Sequence, residues 1–261
     1  PHILISNPDM LHLSFLPGHE KLKPFFQNLR YVVVDELSTY KGVFGSHFHQ
    51  IAKRLHRVAG ANGASPNFVC CSATVNNPKE FVEKLIGKEF EIVGQTGSPQ
   101  AERHFLFLNP TGSPYTEAAN LFLRGMQAGL KTIAFTKARK ITELVHTWIL
   151  QKAPHLKDRI SSYRGGYMPE ERREIENKLF NDELDGVITT SALEMGIDIG
   201  GLDLCLLIGY PGTITSTWQR GGRVGRGRRD SCIILIAQPD ALDQYFMKNP
   251  RDFFGRSCEN A

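Results

Sequence analysis

Short, continuous runs of apolar residues alternate with helix-forming segments along most of this 261-residue chain. Such runs are typical of parallel strands buried on both faces, because a strand with one face in water alternates apolar and polar residues. Between the runs, apolar residues recur at helical spacing, so that Phe48, Ile51 and Leu55 share one face. We therefore predict the α/β class, with parallel sheets flanked by helices. The predicted strands are HILIS, YVVVD, NFVCCSA, FEIVG, KTIAF, RISSY, GVITT, LDLCLLIG and SCIILIAQ, and the predicted helices cover roughly residues 46–59, 78–86, 115–128, 138–152, 169–180 and 240–247.

The length gives room for about two domains of ordinary size, each with its own core. A boundary is predicted between residues 94 and 115, where Gly, Pro, Ser and Thr interrupt the periodicity. The chain opens on Pro1 and runs directly into a predicted strand, so we expect it to be part of a longer protein. The predicted order is a first domain at residues 1–95, a linker at 96–103, a second domain at 104–250 and the start of a following region at 251–261.

The amino-acid composition indicates a globular protein and bounds its partners and location. With 41% hydrophobic and 22% charged residues, the chain has the composition of a globular protein rather than a disordered one. The formal charge of +4 neither requires nor excludes a nucleic-acid partner, although residues 220–229 are rich in arginine. The five cysteines lack C-x-x-C spacing, which favours free thiols in a reducing compartment. No signal peptide or membrane-spanning run is evident in the sequence, so we predict a cytoplasmic location.

An acidic pair follows the strand predicted in YVVVDELSTY. Carboxylates at the C-terminal end of a buried parallel strand lie where α/β sheets bind ligands. Asp35 could hold a magnesium ion through water, and Glu36 could orient a water that attacks a phosphate. The simpler alternative is a solvated strand end.

Two further strand ends carry polar residues. Ser72 and Thr74 in CSAT have hydroxyls that could bond a neighbouring carboxylate, although such residues are also ordinary turn formers. In SNPDML, Asn7 is a candidate helix cap with Pro8 in the first turn, and the free N–H groups of such a terminus attract phosphate. An ordinary capped helix explains SNPDML equally well.

The C-terminal half contains a basic, glycine-rich motif, QRGGRVGR. On a helix Arg223 and Arg226 would point the same way, which suits a phosphoryl group whose charge grows in the transition state. A solvated basic turn or a general phosphate-backbone patch is the alternative. Upstream, Asp198 lies between Gly196 and Gly200, where it would serve a ribose hydroxyl or a local backbone donor.

The order and spacing of these motifs resemble those of a superfamily-two helicase, and within it the bacterial YprA/MrfA-like family, which is related to fungal Hrq-type, RecQ-like helicases. The resemblance covers nearly the whole chain. SNPDML is similar to motif Ib, DELS to motif II, CSAT to motif III, TIAFTKAR to motif IV, TTSALEMGIDI to motif V and QRGGRVGR to motif VI. The family implies two RecA-like domains, here one partial and one complete, with ATP and magnesium between them and a nucleic-acid strand across both.

Carried over by position, the resemblance gives roles to individual residues. It implies that Asp35 holds magnesium through water and that Glu36 activates the attacking water. The residues implied to complete the ATP site are Gln219, Arg223 and Arg226, with Gly196 and Asp198 near the nucleotide. The residues implied to couple hydrolysis to strand movement are Ser38, Ser72 and Thr74, and those implied to touch the nucleic-acid backbone are Asn7, Thr136, Arg164 and Thr190.

Two departures from the family pattern stand out. The family normally has histidine where Ser38 stands, so a contact with Gln219 would need a bridging water. The sequence also lacks the phosphate loop G-x-x-x-x-G-K-[S/T]. We therefore expect the chain by itself not to hydrolyse ATP efficiently.

The sequence thus predicts part of an ATP-dependent DNA helicase or translocase, with a role in DNA repair. Two alternatives stay open. One is an RNA helicase of the DEAD-box type, although such proteins usually carry arginine where Met195 stands. The other is a non-catalytic clamp that binds nucleic acid without turnover. The sequence does not predict an oligomeric state.

Overall fold

The computed structural model describes residues 1–72, 75–95, 97, 101–194, 201–225 and 229–259. The chain divides into two compact units, the first built from Pro1–Gln95 and the second from Thr96–Cys258. The described strands are β1 Tyr31–Val34, β2 Asn67–Cys70, β3 Arg103–Leu108, β4 Thr132–Phe135, β5 Ile160–Tyr163, β6 Gly186–Thr189, β7 Leu204–Ile208 and β8 Ser231–Ile236. The described α-helices are α1 Pro8–Met10, α2 Lys23–Gln27, α3 Gly42–Ala61, α4 Pro78–Ile86, α5 Pro114–Gln127, α6 Arg139–Lys152, α7 Pro169–Phe180, α8 Ile214–Gly221, α9 Ala241–Lys248 and α10 Pro250–Gly255.

The first unit contains a short parallel sheet of β1 and β2, paired from Tyr31 opposite Asn67 to Val34 opposite Cys70. Helices α3 and α4 pack on it, and the side chains buried between them come from the strand end and from both helices. The predicted apolar stripe of α3 is confirmed, because all of its members are buried. They are Phe48, Ile51, Ala52, Leu55 and Ala59.

Two predicted strands in the first unit are wrong. Residues 2–6 and 90–94 have no strand structure, and Ile3 and Ile5 are 81% and 93% exposed. A strand is stable only when its backbone groups pair with a neighbouring strand. Within the described part of the chain, β1 and β2 pair only with each other, so neither segment has a partner.

The second unit is a parallel sheet whose described strands lie in the order β3-β8-β7-β4-β6-β5. Successive residues of β4 alternate between its two hydrophobic clusters: Ile133 and Phe135 belong to one, and Ala134 to the other. Both faces of the sheet are therefore buried at its centre, where every residue of β4, β6 and β7 is buried, which explains the apolar runs of these strands. This arrangement confirms the predicted α/β class.

The second unit continues through α10. Phe253 lies within residues 251–261, which the sequence predicted as the start of a following region, yet it is fully buried in the core of this unit. Its ring contacts Phe105 and Phe107 of β3 and Trp218 of α8 at centroid distances of 5.1, 5.5 and 6.0 Å. In the described residues, no helix is both long enough and apolar enough to span a bilayer.

Candidate functional site

The acidic pair lies directly after β1, at the C-terminal end of the parallel strands. Asp35 is exposed and Glu36 is half-buried. The Glu36 N–H donates to Asp35 Oδ1 at 2.9 Å, and Glu36 has the left-handed backbone angles φ 48° and ψ 51°. A positive φ is uncommon for a residue with a side chain, and such strain is concentrated at functional sites. The backbone therefore turns sharply at the residue predicted to activate water.

Hydrogen bonds from both sides hold this turn. The Cys71 N–H donates to Val34 O and the Leu37 N–H donates to Cys71 O, each at 2.9 Å. The Thr39 hydroxyl donates to Glu36 O at 2.9 Å, and Ser38 is buried in the short 3₁₀ turn Leu37–Thr39. Pairing of the two strand ends thus fixes the backbone at Glu36.

The motif III serine lies at the same edge of the first sheet. Ser72 follows β2 by two residues and is exposed, as Asp35 is after β1. Because β1 and β2 are parallel and in register, their C-terminal ends lie side by side. Thr74 lies outside the described residues, so only Ser72 of this predicted pair is placed.

The acidic pair fits a magnesium ion. Magnesium prefers hard oxygen ligands, and in nucleotide sites it takes one or two carboxylates together with phosphate oxygens and water. Asp35 offers an exposed carboxylate with one oxygen engaged by the neighbouring N–H. No group of three or more His, Cys, Asp and Glu side chains suited to a metal occurs among the described residues. Asp35 therefore suits an ion that is shared with a nucleotide better than one enclosed by protein ligands alone.

The Tyr40 hydroxyl and the Cys70 thiol near Asp35 are both protonated at neutral pH. Burial raises the pKa of the Tyr40 hydroxyl, and the negative charges of Asp35 and Cys70 add to this rise. Burial, followed by the neighbouring Cys71, raises the pKa of the Cys70 thiol to about 11. The Tyr40 hydroxyl and the Cys70 thiol therefore add no negative charge at this strand end.

Tyr40 connects the acidic turn to α3, and a glycine allows the close approach. The Tyr40 ring stacks on Phe44 at 5.2 Å and contacts Phe48 at 4.3 Å between centroids. A Cβ atom on Gly45 would lie 2.3 Å from the Tyr40 carbonyl oxygen. Because this obstacle is backbone, Gly45→Ala should displace the turn and destabilise the first unit by about 1–3 kcal/mol. Hydrogen–deuterium exchange of peptides from residues 42–61 would measure the loss of protection.

Gly60, in the same helix, is a matched control. A Cβ atom there would meet nothing within 4 Å, and Gly60 is exposed. Gly60→Ala should stabilise α3 by about 0.5–1 kcal/mol, since alanine is the better helix former. Equal protection in the two variants would contradict a steric role for Gly45.

In the second unit, the motif VI residues begin on α8 and continue beyond it. Gln219 is half-buried on the helix, and the helix ends at Gly221. Arg223 lies in the following turn and is only 6% exposed. A shared helix, on which Arg223 and Arg226 would point the same way, is therefore not present at Arg223, because α8 ends at the glycines before it. Arg226 lies outside the described residues.

One acidic residue that the sequence reasoning missed holds both buried arginines of this motif. The Glu194 carboxylate accepts a hydrogen bond from Arg220 Nε at 2.8 Å. The Glu194 backbone carbonyl accepts from Nε and Nη2 of Arg223 at 3.0 and 2.5 Å. The Arg220 guanidinium also lies 5.4 Å from the centroid of the Phe135 ring. Glu194 thus ties the segment after β6 to the segment after α8. Gly196 and Asp198, predicted near the nucleotide, lie outside the described residues.

Three residues predicted to touch nucleic acid lie at the C-terminal ends of the adjacent strands β4, β6 and β5. Thr136 is buried, and its hydroxyl shares a 2.7 Å hydrogen bond with the Thr142 hydroxyl. Thr190 is half-buried and caps the short turn Ser191–Leu193. Arg164 is partly exposed and pairs through Nε with Glu143 at 2.8 Å. Arg164 is the one charged residue of the three, and its side chain is 30% exposed.

Asn7 belongs to the first unit, and its predicted role as a helix cap is confirmed. Its side-chain oxygen accepts a hydrogen bond from the Met10 N–H at 2.8 Å, and Pro8 occupies the first position of α1. Because Asn7 Oδ1 is occupied by the cap, its free groups for any ligand are the side-chain amide and the neighbouring backbone.

Profiles of two protein families match the chain. The family described as "DEAD/DEAH box helicase" matches residues 1–81, which include the acidic pair and Ser72. The family described as "Helicase conserved C-terminal domain" matches residues 117–228, which include Arg164, Glu194 and the arginines after α8.

Individual proteins are similar over the whole chain. The ATP-dependent helicase YprA of Bacillus subtilis, itself described as uncharacterized, is 43% identical over 100% of this chain and 36% of its own length. The ATP-dependent helicase HRQ1 of Saccharomyces cerevisiae is 35% identical over 95% of this chain and 25% of its own length. The crystal structure of the DUF1998 helicase MrfA bound to DNA and AMPPNP superimposes with a TM-score of 0.96 at 43% identity, over 100% of this chain and 38% of that chain. The chain therefore spans little more than a third, at most, of each of these relatives.

Proposed function

Because this chain belongs to the superfamily-two helicases of the DEAD/DEAH box class, we propose that it forms part of an ATP-dependent helicase or translocase that moves along DNA. The observation that carries the proposal is the likeness to MrfA, whose crystal structure contains both DNA and AMPPNP. That likeness covers the whole chain at 43% identity, so it extends to both compact units.

We assign the hydrolytic chemistry to the first unit. Glu36 orients and deprotonates the attacking water, and the sharp turn at its positive φ sets the backbone position from which its side chain extends. Asp35 would hold magnesium, through water, which when bound neutralises charge on the β- and γ-phosphates. Ser72 at the neighbouring strand end, with Ser38 and Thr74, would relay the state of this site to strand movement.

The second unit supplies cationic groups in this proposal. Arg223 and Arg226 would stabilise the charge that grows on the transferred phosphoryl group, with Gln219 beside them, and Gly196 and Asp198 would lie near the nucleotide. The nucleic-acid backbone would contact Arg164 and Thr190, the backbone amide near Thr136, and Asn7 in the first unit.

DNA is the proposed track, and strand separation tests it. The experiment uses a polypeptide that joins this chain to a phosphate-binding loop, because this sequence contains none. It compares forked duplexes whose tracking strand is DNA or RNA, with ATP and, as the control, with AMPPNP. We expect ATP-dependent unwinding of the DNA-tracking fork only. Unwinding confined to the RNA-tracking fork would instead favour the DEAD-box type of RNA helicase.

The 261-residue chain alone should bind nucleic acid without turning over ATP. The loop that cradles the β- and γ-phosphates is absent from its sequence, and positioning of those phosphates is most of the catalysis in this chemistry. Rapid DNA-stimulated phosphate release by this chain would contradict this part of the proposal. We further propose a bacterial cytoplasmic location, a role in DNA repair, and the domain division at residues 95 and 104.

A further inference from the structure

A hydrogen-bonded network surrounds Arg164 at the C-terminal end of β5. Glu143 of α6 accepts hydrogen bonds at Oε1 from Arg164 Nε and from the Tyr167 hydroxyl, both at 2.8 Å. Its other oxygen accepts from the Ser162 hydroxyl at 3.1 Å. The Arg164 guanidinium lies 4.6 Å from the centroid of the Tyr167 ring. Arg164 is therefore held by its Nε and by one face, while the two terminal nitrogens are not used by these contacts.

Glu143 is ionised within this network. Burial alone would raise the pKa of its carboxyl, but hydrogen bonds from Arg164, Tyr167 and Ser162 hold the pKa below its usual range. A carboxylate with several donors is oriented more rigidly than one that faces only water. Glu143 therefore offers a fixed acceptor to the guanidinium.

A second guanidinium lies beside the first, above a turn of two glycines. The position that a Cβ atom would take on Gly166 is 2.5 Å from Arg164 Nη1 and 3.5 Å from Arg139 Nη1. Those two nitrogens are therefore no more than about 6 Å apart. Arg139 is exposed at the start of α6, and no ion pair joins it to another residue within the described ranges. Two guanidinium groups thus lie beside the same glycine turn, and one of them, that of Arg164, is paired with Glu143.

We propose that Arg139 and Arg164 clamp one phosphodiester group of the nucleic-acid strand above Gly165–Gly166, and that Glu143 is a positioning residue for Arg164. This inference rests on the proposed function and deepens it. A guanidinium held through Nε presents Nη1 and Nη2 as a pair of donors, which matches two oxygens of one phosphate. The absence of a side chain on Gly166 leaves room for the Arg164 guanidinium, because a Cβ atom there would lie 2.5 Å from Nη1. A phosphate would also neutralise the two neighbouring positive charges.

The direction of the affinity change on substituting Glu143 tests whether this residue positions Arg164. Glu143→Gln removes a negative charge from a surface that binds a polyanion, so by simple electrostatics it should tighten binding. If Glu143 positions Arg164, the same substitution should weaken binding, because a neutral amide holds the guanidinium less firmly. The two effects have opposite directions, so affinity alone separates them.

The test measures binding of a fluorescein-labelled oligothymidylate to the full chain by fluorescence anisotropy, between about 0.05 and 0.2 M NaCl. Losing one phosphate contact on a single strand should lower the salt slope by about 0.7, which corresponds to about fivefold weaker binding at 0.1 M. We expect this result for Arg139→Ala and for Arg164→Ala. Glu143→Gln should weaken binding by up to the same factor.

Two further variants separate positioning from folding. Gly166→Ala would push a methyl group against Arg164 Nη1, the far end of a flexible side chain, so it should displace the guanidinium and weaken binding without unfolding the unit. Glu174→Gln is the matched control, because Glu174 is an exposed carboxylate that pairs with Lys178 at 2.7 Å on α7. It should leave affinity unchanged or slightly raise it. Tryptophan fluorescence would verify that every variant is folded.

The outcomes distinguish the clamp from the proposed function. If the wild-type chain binds the oligonucleotide and Glu143→Gln binds it equally tightly or more tightly, the positioning role of Glu143 is overturned. If Arg139→Ala and Arg164→Ala both keep the salt slope of the wild-type chain, the clamp is overturned. Failure of the wild-type chain to bind the oligonucleotide would contradict both the clamp and the proposed function. Weakened binding by the variants, together with no ATP-driven unwinding in a loop-containing polypeptide, would support the clamp and contradict only the helicase activity.

Discussion

In a polypeptide that joins this chain to a phosphate-binding loop, Glu36→Gln should reduce DNA-stimulated ATP turnover by about 10²- to 10⁴-fold. This is the range that a positioned general base contributes to a proton transfer. The substitution keeps the size and the hydrogen-bonding shape of the side chain but removes its basicity. Because the turn is held by backbone bonds to Val34, Cys71 and Thr39, the fold should be unaffected. Phosphate release at saturating DNA and ATP measures the change.

DNA binding provides the accompanying readout. Glu36→Gln should bind DNA as tightly as the wild-type protein, because the proposed role of Glu36 is in hydrolysis. Glu20→Gln, an exposed carboxylate in the same unit, should retain full turnover. An unchanged rate in Glu36→Gln would favour the non-catalytic clamp, in which the acidic pair is only a strand end.

Glu194→Ala should destabilise the second unit by about 3–5 kcal/mol, the usual cost of removing one partner of a buried ion pair. The side chains of Arg220 and Glu194 are 10% and 11% exposed, so the guanidinium left behind could not be hydrated without opening the structure. The hydrogen bonds of Arg223 should survive, because they go to the Glu194 backbone carbonyl. Both tryptophans, Trp148 and Trp218, lie in this unit, so urea denaturation followed by tryptophan fluorescence reports on it selectively.

A double variant shows whether the cost comes from the unpaired charge. Glu194→Leu combined with Arg220→Met removes both charges and should be less destabilising than Glu194→Ala alone. As a surface control, Glu174→Ala breaks an exposed pair with Lys178 and should cost at most about 1 kcal/mol. A cost for Glu194→Ala no larger than that of the surface control would show that the buried pair does not stabilise the unit.

The spacing of apolar residues along the sequence was sufficient to predict most of the helices and strands. The helices predicted at residues 78–86 and 169–180 coincide with α4 and α7, because their apolar residues recur at helical spacing and proline marks each start. The central strands β4, β6 and β7 of the second unit were equally clear, since burial on both faces makes each an apolar run. Identical reasoning failed for HILIS and FEIVG, because an apolar run is a strand only where a partner lies beside it.

Motif order predicted the acidic pair and the arginine-rich segment, but not what surrounds them. Asp35 and Glu36 follow β1 as expected, whereas the positive φ of Glu36 has no signature in the sequence. Arg223 and Arg226 would point the same way only on a shared helix, and α8 ends before both of them, at Gly221. Glycine content alone could not decide between a tightly packed helix and a helix end.

The sequence by itself determined the α/β class, the alternation of strands and helices, and the identity of the residues at the strand ends, because these depend on spacing over a few neighbouring positions. The tertiary structure alone decided that Glu143 meets Arg164 and that Glu194 meets Arg220, pairs that are 21 and 26 residues apart. Such pairs form only once the order β4-β6-β5 and the packing of α8 bring distant segments together. The residues that neighbour a glutamate in the sequence do not indicate which distant arginine will pair with it.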